Sequence, residues 1–202
     1  MLVGVSLGPG DPGLLTLRAI EVLRASEKVF APGELAAELA RPYCDPEILD
    51  FPMTDDLERL EGIWVRNADM VASYAEKCLT SFACLGDVNT FSTFSHLRRV
   101  LMRRHPGIEI DTVPGVGIIP AAAARFGIGF ERSFLVSDGS EPDAVLRLKA
   151  TRPASIAAEL HAQGYNEFIL GSRLYTADEM IVRGEMPERS SYFSVLYARR
   201  VR

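Results

Sequence analysis

Residues 1–31, MLVGVSLGPGDPGLLTLRAIEVLRASEKVFA, form the stretch whose pattern decides the fold. Leu2 to Leu7 is a short apolar run that stops at the cluster Gly8-Pro9-Gly10-Asp11-Pro12-Gly13. Beyond it Leu17, Ile20, Val22 and Leu23 recur at helical spacing over Thr16–Ser26, and Val29-Phe30-Ala31 is apolar again. Strand, tight loop, helix and second strand follow from that order. Working outward, the alternation continues with a helix over Glu34–Ala40, a strand at Ile48–Phe51 and a helix over most of Leu57–Leu79. A strand at Phe82–Leu85, a helix over Ser92–Arg104, a strand at Ile108–Val113 and a short alanine-rich helix to Arg125 complete it. Strands alternating with helices predict a parallel sheet with crossover helices. After Gly129 the pattern changes: strand-like runs at Phe134–Val136, Val145–Leu148, Phe168–Leu170, Met180–Val182 and Tyr192–Tyr197 surround one helix, Ala154–Gln163. That half predicts a mixed, partly antiparallel sheet. The expected class is α/β, with an N-terminal domain over 1–114 and a C-terminal domain over 115–202. No internal repeat or low-complexity linker interrupts it.

Composition sets the outer bounds. With 202 residues, 48% hydrophobic and 24% charged, the chain has ordinary globular composition and enough apolar residues for a sizeable core. No apolar stretch approaches the roughly 18 residues of a membrane helix, and Met1–Leu7 is too short and uncharged for a signal peptide. A cytoplasmic protein without membrane partners is expected. Cys44, Cys78 and Cys84 are odd in number and lack C-x-x-C spacing, so neither a disulfide framework nor a metal site is expected. The net charge of −5 divides unevenly: residues 1–97 hold 15 acids and 7 bases, residues 98–202 hold 12 acids and 15 bases. A nucleic-acid binder usually shows a basic excess overall; this arginine-dominated half suits recognition of a carboxylate-bearing small molecule.

Gly8, Gly10 and Gly13 formally satisfy G-x-G-x-x-G after a strand and before a helix, the fingerprint of a dinucleotide site. Three features argue otherwise. Pro9 and Pro12 remove N–H donors from the loop that would cradle a pyrophosphate, Asp11 adds a negative charge there, and Lys28-Val29-Phe30-Ala31-Pro32 lacks the acidic residue that closes the second strand of such sites.

Three motifs point elsewhere. GVSLGPGDPGLLTLRAIEVLRASEKVFAPG (residues 4–33), LGDVNTFSTFSHL (85–97) and VPGVGIIPAAAARFGI (113–128) occur in the order and approximate spacing of the tetrapyrrole methylases, and the chain resembles that family from end to end. The resemblance implies an S-adenosyl-L-methionine-dependent methyltransferase of two α/β domains, with the active site in the cleft between them and a homodimeric assembly. Ser92-Thr93-Phe94 and Tyr192-Phe193-Ser194 are similar to segments of the branch that methylates C20 of precorrin-2 or cobalt-precorrin-2 in cobalamin biosynthesis. The related alternatives are a methylase acting on another corrin carbon or another acceptor, such as the diphthamide branch, and a non-catalytic member that binds cofactor or tetrapyrrole.

By resemblance, the cofactor contacts are Pro9, the loop Leu85-Gly86-Asp87-Val88, Ser92 and Thr93, Gly115, Ala121 and, in the C-terminal domain, Leu148; Phe168–Leu170 and Ser172–Tyr175 supply another wall. Gly86 lets the backbone approach a ligand closely, and Asp87 either faces the sulfonium or bonds its own turn. Arg18, Arg98, Arg125 and Arg173 are candidates for carboxylate recognition, each with a plain surface role as the rival. Arg103, Arg104 and His105 end a predicted helix, where cations suit the macrodipole. His96 is expected on a helix face. The reaction needs little acid–base machinery, and no catalytic residue is identified. Val88 and Gly117-Ile118 depart from the family's usual proline and hydroxyl residues at those points, and the chain is shorter than many C20 enzymes.

Overall fold

In the computed structural model, which describes residues 1–52 and 57–201, the opening stretch folds as β1 (Leu2–Ser6), a single 3-10 turn at Pro12–Leu14, α1 (Leu17–Ala25) and β2 (Lys28–Ala31). Asp11 caps the turn by accepting from the Gly13 N–H, and Thr16 caps α1 by accepting from the Ala19 N–H, so each polar residue ahead of a helix satisfies a donor the helix cannot. The chain continues through α2 (Glu34–Ala40), β3 (Pro46–Ile48), α3 (Leu57–Ala75), β4 (Thr80–Cys84), α4 (Thr93–Arg104), β5 (Ile110–Val113) and α5 (Ile118–Phe126). The strands form a parallel sheet in the order β3-β2-β4-β1-β5.

Both faces of this sheet are covered, which explains why β1 and β4 are buried along their whole length. Alternation sorts their side chains. Val3, Val5, Val29 and Ala83 pack with α1 and α2, while Leu2, Phe30, Phe82 and Cys84 pack with α3 and α4. Gly4 lies on the α4 face, where an added Cβ would stand 2.6 Å from Phe94 Cε1 and 2.9 Å from Val88 Cγ2.

The third strand differs from expectation. It is Pro46–Ile48, not Ile48–Phe51, paired Val29↔Pro46 through Ala31↔Ile48, with one more bond from the Leu49 N–H to the Ala31 carbonyl. Pro46 lacks an N–H and is tolerated because β3 lies at the sheet edge.

The chain divides into two compact units, Met1–Glu131 and Arg132–Arg202; the division follows α5, whereas the 114/115 boundary expected from the sequence precedes it. The second unit contains β6 (Ala144–Leu148), α6 (Pro153–His161), β7 (Glu167–Ser172), β8 (Met180–Arg183) and β9 (Ser194–Arg199) in the order β6-β9-β7-β8. Every pairing is antiparallel, where a mixed sheet was expected. The physical reason is an insertion: β6 and β7 run the same way through α6, but β9 lies between them. Phe134–Val136 forms no strand, and Leu135 is 74% exposed there. The unit's core is small, built on Ala150, Leu160, Tyr165, Leu170, Leu196 and Ala198. Among the described residues, no helix is long and apolar enough to cross a membrane.

Candidate functional site

The carboxyl ends of β1 and β4 make the natural site of the first unit. These strands are neighbours, yet the chain leaves β1 toward α1 on one face and leaves β4 toward α4 on the other. Such a reversal opens a crevice at the strand ends, the position where open α/β sheets bind ligands. Here the two loops are stitched together. The Gly8 N–H donates to the Gly86 carbonyl (3.2 Å), and the Gly86 N–H donates back to the Gly8 carbonyl (2.7 Å). Both glycines have left-handed backbones, φ 74° and 75°. Their N–H groups are therefore committed, and with Pro9 and Pro12 the loop has little to offer a pyrophosphate.

Asp87 is the hub of the crevice. Its Oδ2 accepts from the Gly115 N–H (3.0 Å) and the Ser6 hydroxyl (3.4 Å), and its Oδ1 accepts from the Asn89 N–H (3.0 Å) and the Thr90 hydroxyl (3.1 Å). One carboxylate thus ties together the end of β1 and the segments after β4 and β5. Ser6, fully buried, also accepts from the Val88 N–H at 2.8 Å. Gly115 belongs to the same knot, since a Cβ there would stand 2.5 Å from Ser6 Cβ. Ser6, Asn89, Thr90 and Thr112, which accepts from Asn89 Nδ2, were not singled out from the sequence. Only the small polar residue closing an apolar strand, Ser6, left a signal.

The crevice accordingly gathers Pro9, Leu85, Gly86, Asp87 and Gly115 in one unit. Gly86 is open to approach, with no atom within 4 Å of where a Cβ would stand. Leu85 is 41% exposed beside it. Val88 points the other way, fully buried against the α4 face, so its side chain belongs to the core. Ser92 caps α4 by accepting from the Phe94 N–H (3.1 Å), and Thr93 opens that helix half-buried. Phe91, just ahead of them, is left-handed at φ 48° and exposed. A bulky residue in that conformation marks local strain. Ala121 lies half-buried in α5, and Leu148 ends β6 in the second unit, 70% exposed.

The remaining candidates have ordinary partners. Arg18 pairs with Glu21 and Arg173 with Asp178, both at the surface, and Arg98 and Arg125 are exposed. Arg104 grips Asp69 through two bonds and His105 adds a third, joining α4 to α3 and holding the Asp69 carboxyl below the usual range. His96 stacks on Trp64 with ring centroids 4.6 Å apart beside a cavity of about 290 Å3. Burial, then the Arg99 charge, lower the affinity of its imidazole for a proton. Burial pushes the Cys44 and Cys84 thiols up to about 11, which leaves them protonated at neutral pH.

The arrangement is a backbone-lined crevice with Leu85 exposed at its side, and with the Gly8 and Gly86 N–H groups already bonded it suits a phosphate chain poorly. The model of the Tetrapyrrole (Corrin/Porphyrin) Methylases matches residues 1–188. A probable cobalt-precorrin-2 C(20)-methyltransferase of Methanocaldococcus jannaschii is 30% identical over 207 residues, covering 92% of this chain and 87% of that one. The cobalt-precorrin-2 C(20)-methyltransferase of Salmonella typhimurium is 32% identical over 135 residues, 61% of this chain and 56% of its own. Among solved structures, the uroporphyrin-III-C-methyltransferase from Thermus thermophilus shares the fold with a TM-score of 0.52 at 21% identity, over 98% of this chain and 91% of that one.

Proposed function

The chain belongs to the tetrapyrrole (corrin/porphyrin) methylases, and from that premise we propose that it transfers a methyl group from S-adenosyl-L-methionine to C20 of precorrin-2 or cobalt-precorrin-2 in cobalamin biosynthesis. One observation carries the choice of acceptor: the near full-length similarity to a probable cobalt-precorrin-2 C(20)-methyltransferase. The proposal extends to a cytoplasmic homodimer with a small-molecule tetrapyrrole partner.

Bound S-adenosyl-L-methionine supplies an electrophilic methyl group on a sulfonium with a good leaving group. The residues assigned to hold it are Pro9, Leu85, Gly86, Asp87, Val88, Ser92, Thr93, Gly115 and Ala121, with Leu148 of the second unit. Gly86 admits the ligand against bare backbone. Leu85 adds an apolar wall. Val88 serves through its backbone, its side chain being in the core. Asp87 acts by holding the end of β1 and the loops after β4 and β5 in register, since both its oxygens already accept protein donors. The chain's contribution to rate is then alignment and exclusion of water, which in general is worth effective molarities of about 10⁵ M or more.

The test is calorimetric titration with S-adenosylhomocysteine, followed by mass spectrometry after incubation with donor and precorrin-2, with and without cobalt. Binding and the gain of one methyl are expected, with NMR locating it at C20. Binding without methyl gain would redirect the enzyme to another acceptor. Absence of binding would leave a non-catalytic member of the family.

A further inference from the structure

Three non-glycine residues of the second unit hold left-handed backbones, Lys149 (φ 56°), Arg173 (φ 49°) and Tyr175 (φ 64°). Lys149 and Arg173 leave the sheet at the same end, and Tyr175 follows two residues on. Lys149 directly follows β6 and Arg173 directly follows β7, and the pairings Leu148↔Val195 and Ser172↔Ser194 bring both strand ends to the start of β9. The Arg173 N–H donates to the Phe193 carbonyl (2.8 Å) and the Ala150 N–H to the Ser194 carbonyl (3.3 Å), so both turns are tied to the segment Tyr192–Ser194. Side chains with a Cβ rarely adopt this conformation, and where it persists at exposed positions it clusters at ligand clamps.

The side chains at this end have a common chemistry. Tyr175, Tyr192 and Phe193 are 82%, 56% and 73% exposed. Tyr192 and Phe193 meet edge to face at 5.6 Å, and Lys149 Nζ lies 5.1 Å from the Tyr192 ring centroid. Lys149 makes no ion pair among the described residues. Arg173 pairs with Asp178 at 2.9 Å, but both are at least half exposed, and such a pair exchanges readily for another carboxylate. Glu179 is exposed as well, with one carboxylate oxygen taken up by the Tyr175 N–H. Exposed aromatic rings, with Lys149 over one of them and the Arg173 cation on the adjoining turn, suit a flat ligand with carboxylates at its periphery.

We propose that this end of the sheet, Lys149 and Arg173 with Tyr175, Tyr192 and Phe193, is the recognition rim for the tetrapyrrole acceptor, with the aromatic rings against the macrocycle and the two cations on its carboxylates. The proposal rests on the methyltransferase function above and adds the residues that select its acceptor, moving Arg173 and Tyr175 from the cofactor wall that the resemblance implied to the acceptor. The strain provides the test. Glycine accepts φ 56° without a Cβ clash, so Lys149→Gly relieves strain while deleting the cation.

The experiment titrates wild type, Lys149→Gly, Arg173→Gly and Lys149→Arg with uroporphyrin I, a stable octacarboxylate tetrapyrrole, followed by fluorescence, and with S-adenosylhomocysteine by calorimetry. Each glycine variant is expected to keep or raise the thermal midpoint, lose about tenfold in uroporphyrin affinity and bind S-adenosylhomocysteine as wild type does, with Lys149→Arg close to wild type. Unchanged uroporphyrin affinity in both glycine variants, or wild type that binds S-adenosylhomocysteine but not uroporphyrin, overturns the rim and leaves the methyltransferase function standing. Loss of S-adenosylhomocysteine binding in the glycine variants overturns it by assigning this end of the sheet to the donor. Failure of wild type to bind S-adenosylhomocysteine at all removes the methyltransferase function and the rim with it.

Discussion

The crevice of the first unit and the rim of the second use the same backbone conformation with opposite residues. At the ends of β1 and β4 the left-handed positions are Gly8 and Gly86, which adopt φ above zero at no steric cost and leave bare backbone facing the crevice. At the ends of β6 and β7 they are Lys149 and Arg173, each keeping a long cationic side chain in a conformation it disfavours. Polar groups divide likewise. Ser6 is buried and Asp87 half-buried, both bonded within the protein, whereas the aromatics and cations of the rim face solvent. One region exposes backbone at its left-handed positions, the other exposes side chains.

The largest effect that could break this contrast is at Asp87. Removing its carboxylate in Asp87→Ala leaves the Gly115 N–H and the Ser6 hydroxyl without their acceptor, at a cost of about 2–4 kcal/mol in stability and at least tenfold in S-adenosylhomocysteine affinity. Denaturant unfolding and calorimetry would show it. Stability at the wild-type level with affinity lost would mean that Asp87 touches the ligand instead of holding the loops.

Gly115→Ala comes next. Its Cβ would stand 2.5 Å from Ser6 Cβ, so the loop after β5 must move, and overpacking of this kind costs about 1–3 kcal/mol. Thermal unfolding should fall and S-adenosylhomocysteine binding weaken, with uroporphyrin binding at the second unit's rim changed less. Equal losses for both ligands would erase the division between the regions.

A smaller effect is expected at Asp69, outside both regions. Arg104 and His105 depress its carboxyl pKa, so the pair adds stability above the ordinary carboxylate range near 4 and loses it as pH falls through the folded value. Because the pair is exposed the contribution is slight. The thermal midpoint of Asp69→Asn should lie a little under wild type at neutral pH and converge with it in acid. A gap that widens in acid would reverse the assignment. Cys78→Ala should change neither ligand affinity, and an effect as large as that of Asp87→Ala would mean that the crevice is misplaced.

How much of this was legible depended on whether the signal was local. The strand, turn and first helix could be read from residues 2–25 because a continuous apolar run, a Pro/Gly cluster and a helical period are each written in neighbouring residues. Gly86, Asp87 and Gly115 were reached through motifs. Ser6 was missed as a partner because its bonds reach Asp87 and Val88 more than 80 residues away. The edge strand shifted from Ile48–Phe51 to Pro46–Ile48 because apolar character marks burial and not pairing: Leu49 is buried, yet the ladder runs through Glu47. Phe134–Val136 has strand-like composition and no strand, because a ladder needs a neighbour that composition does not specify.

Sequence alone therefore determined the parallel α/β half, the glycine turn at residue 86, the unsuitability of the first loop for a pyrophosphate and the family resemblance, since each rests on local chemistry or motif order. Tertiary structure alone decided that Asp87 spends both oxygens on the end of β1 and two loops, that β9 inserts between β6 and β7 and makes the second sheet antiparallel, and that Lys149 lies over Tyr192 while the Arg173 backbone bonds Phe193 beside it. These are contacts between distant segments, and the energy that selects them exists only once the strands have paired.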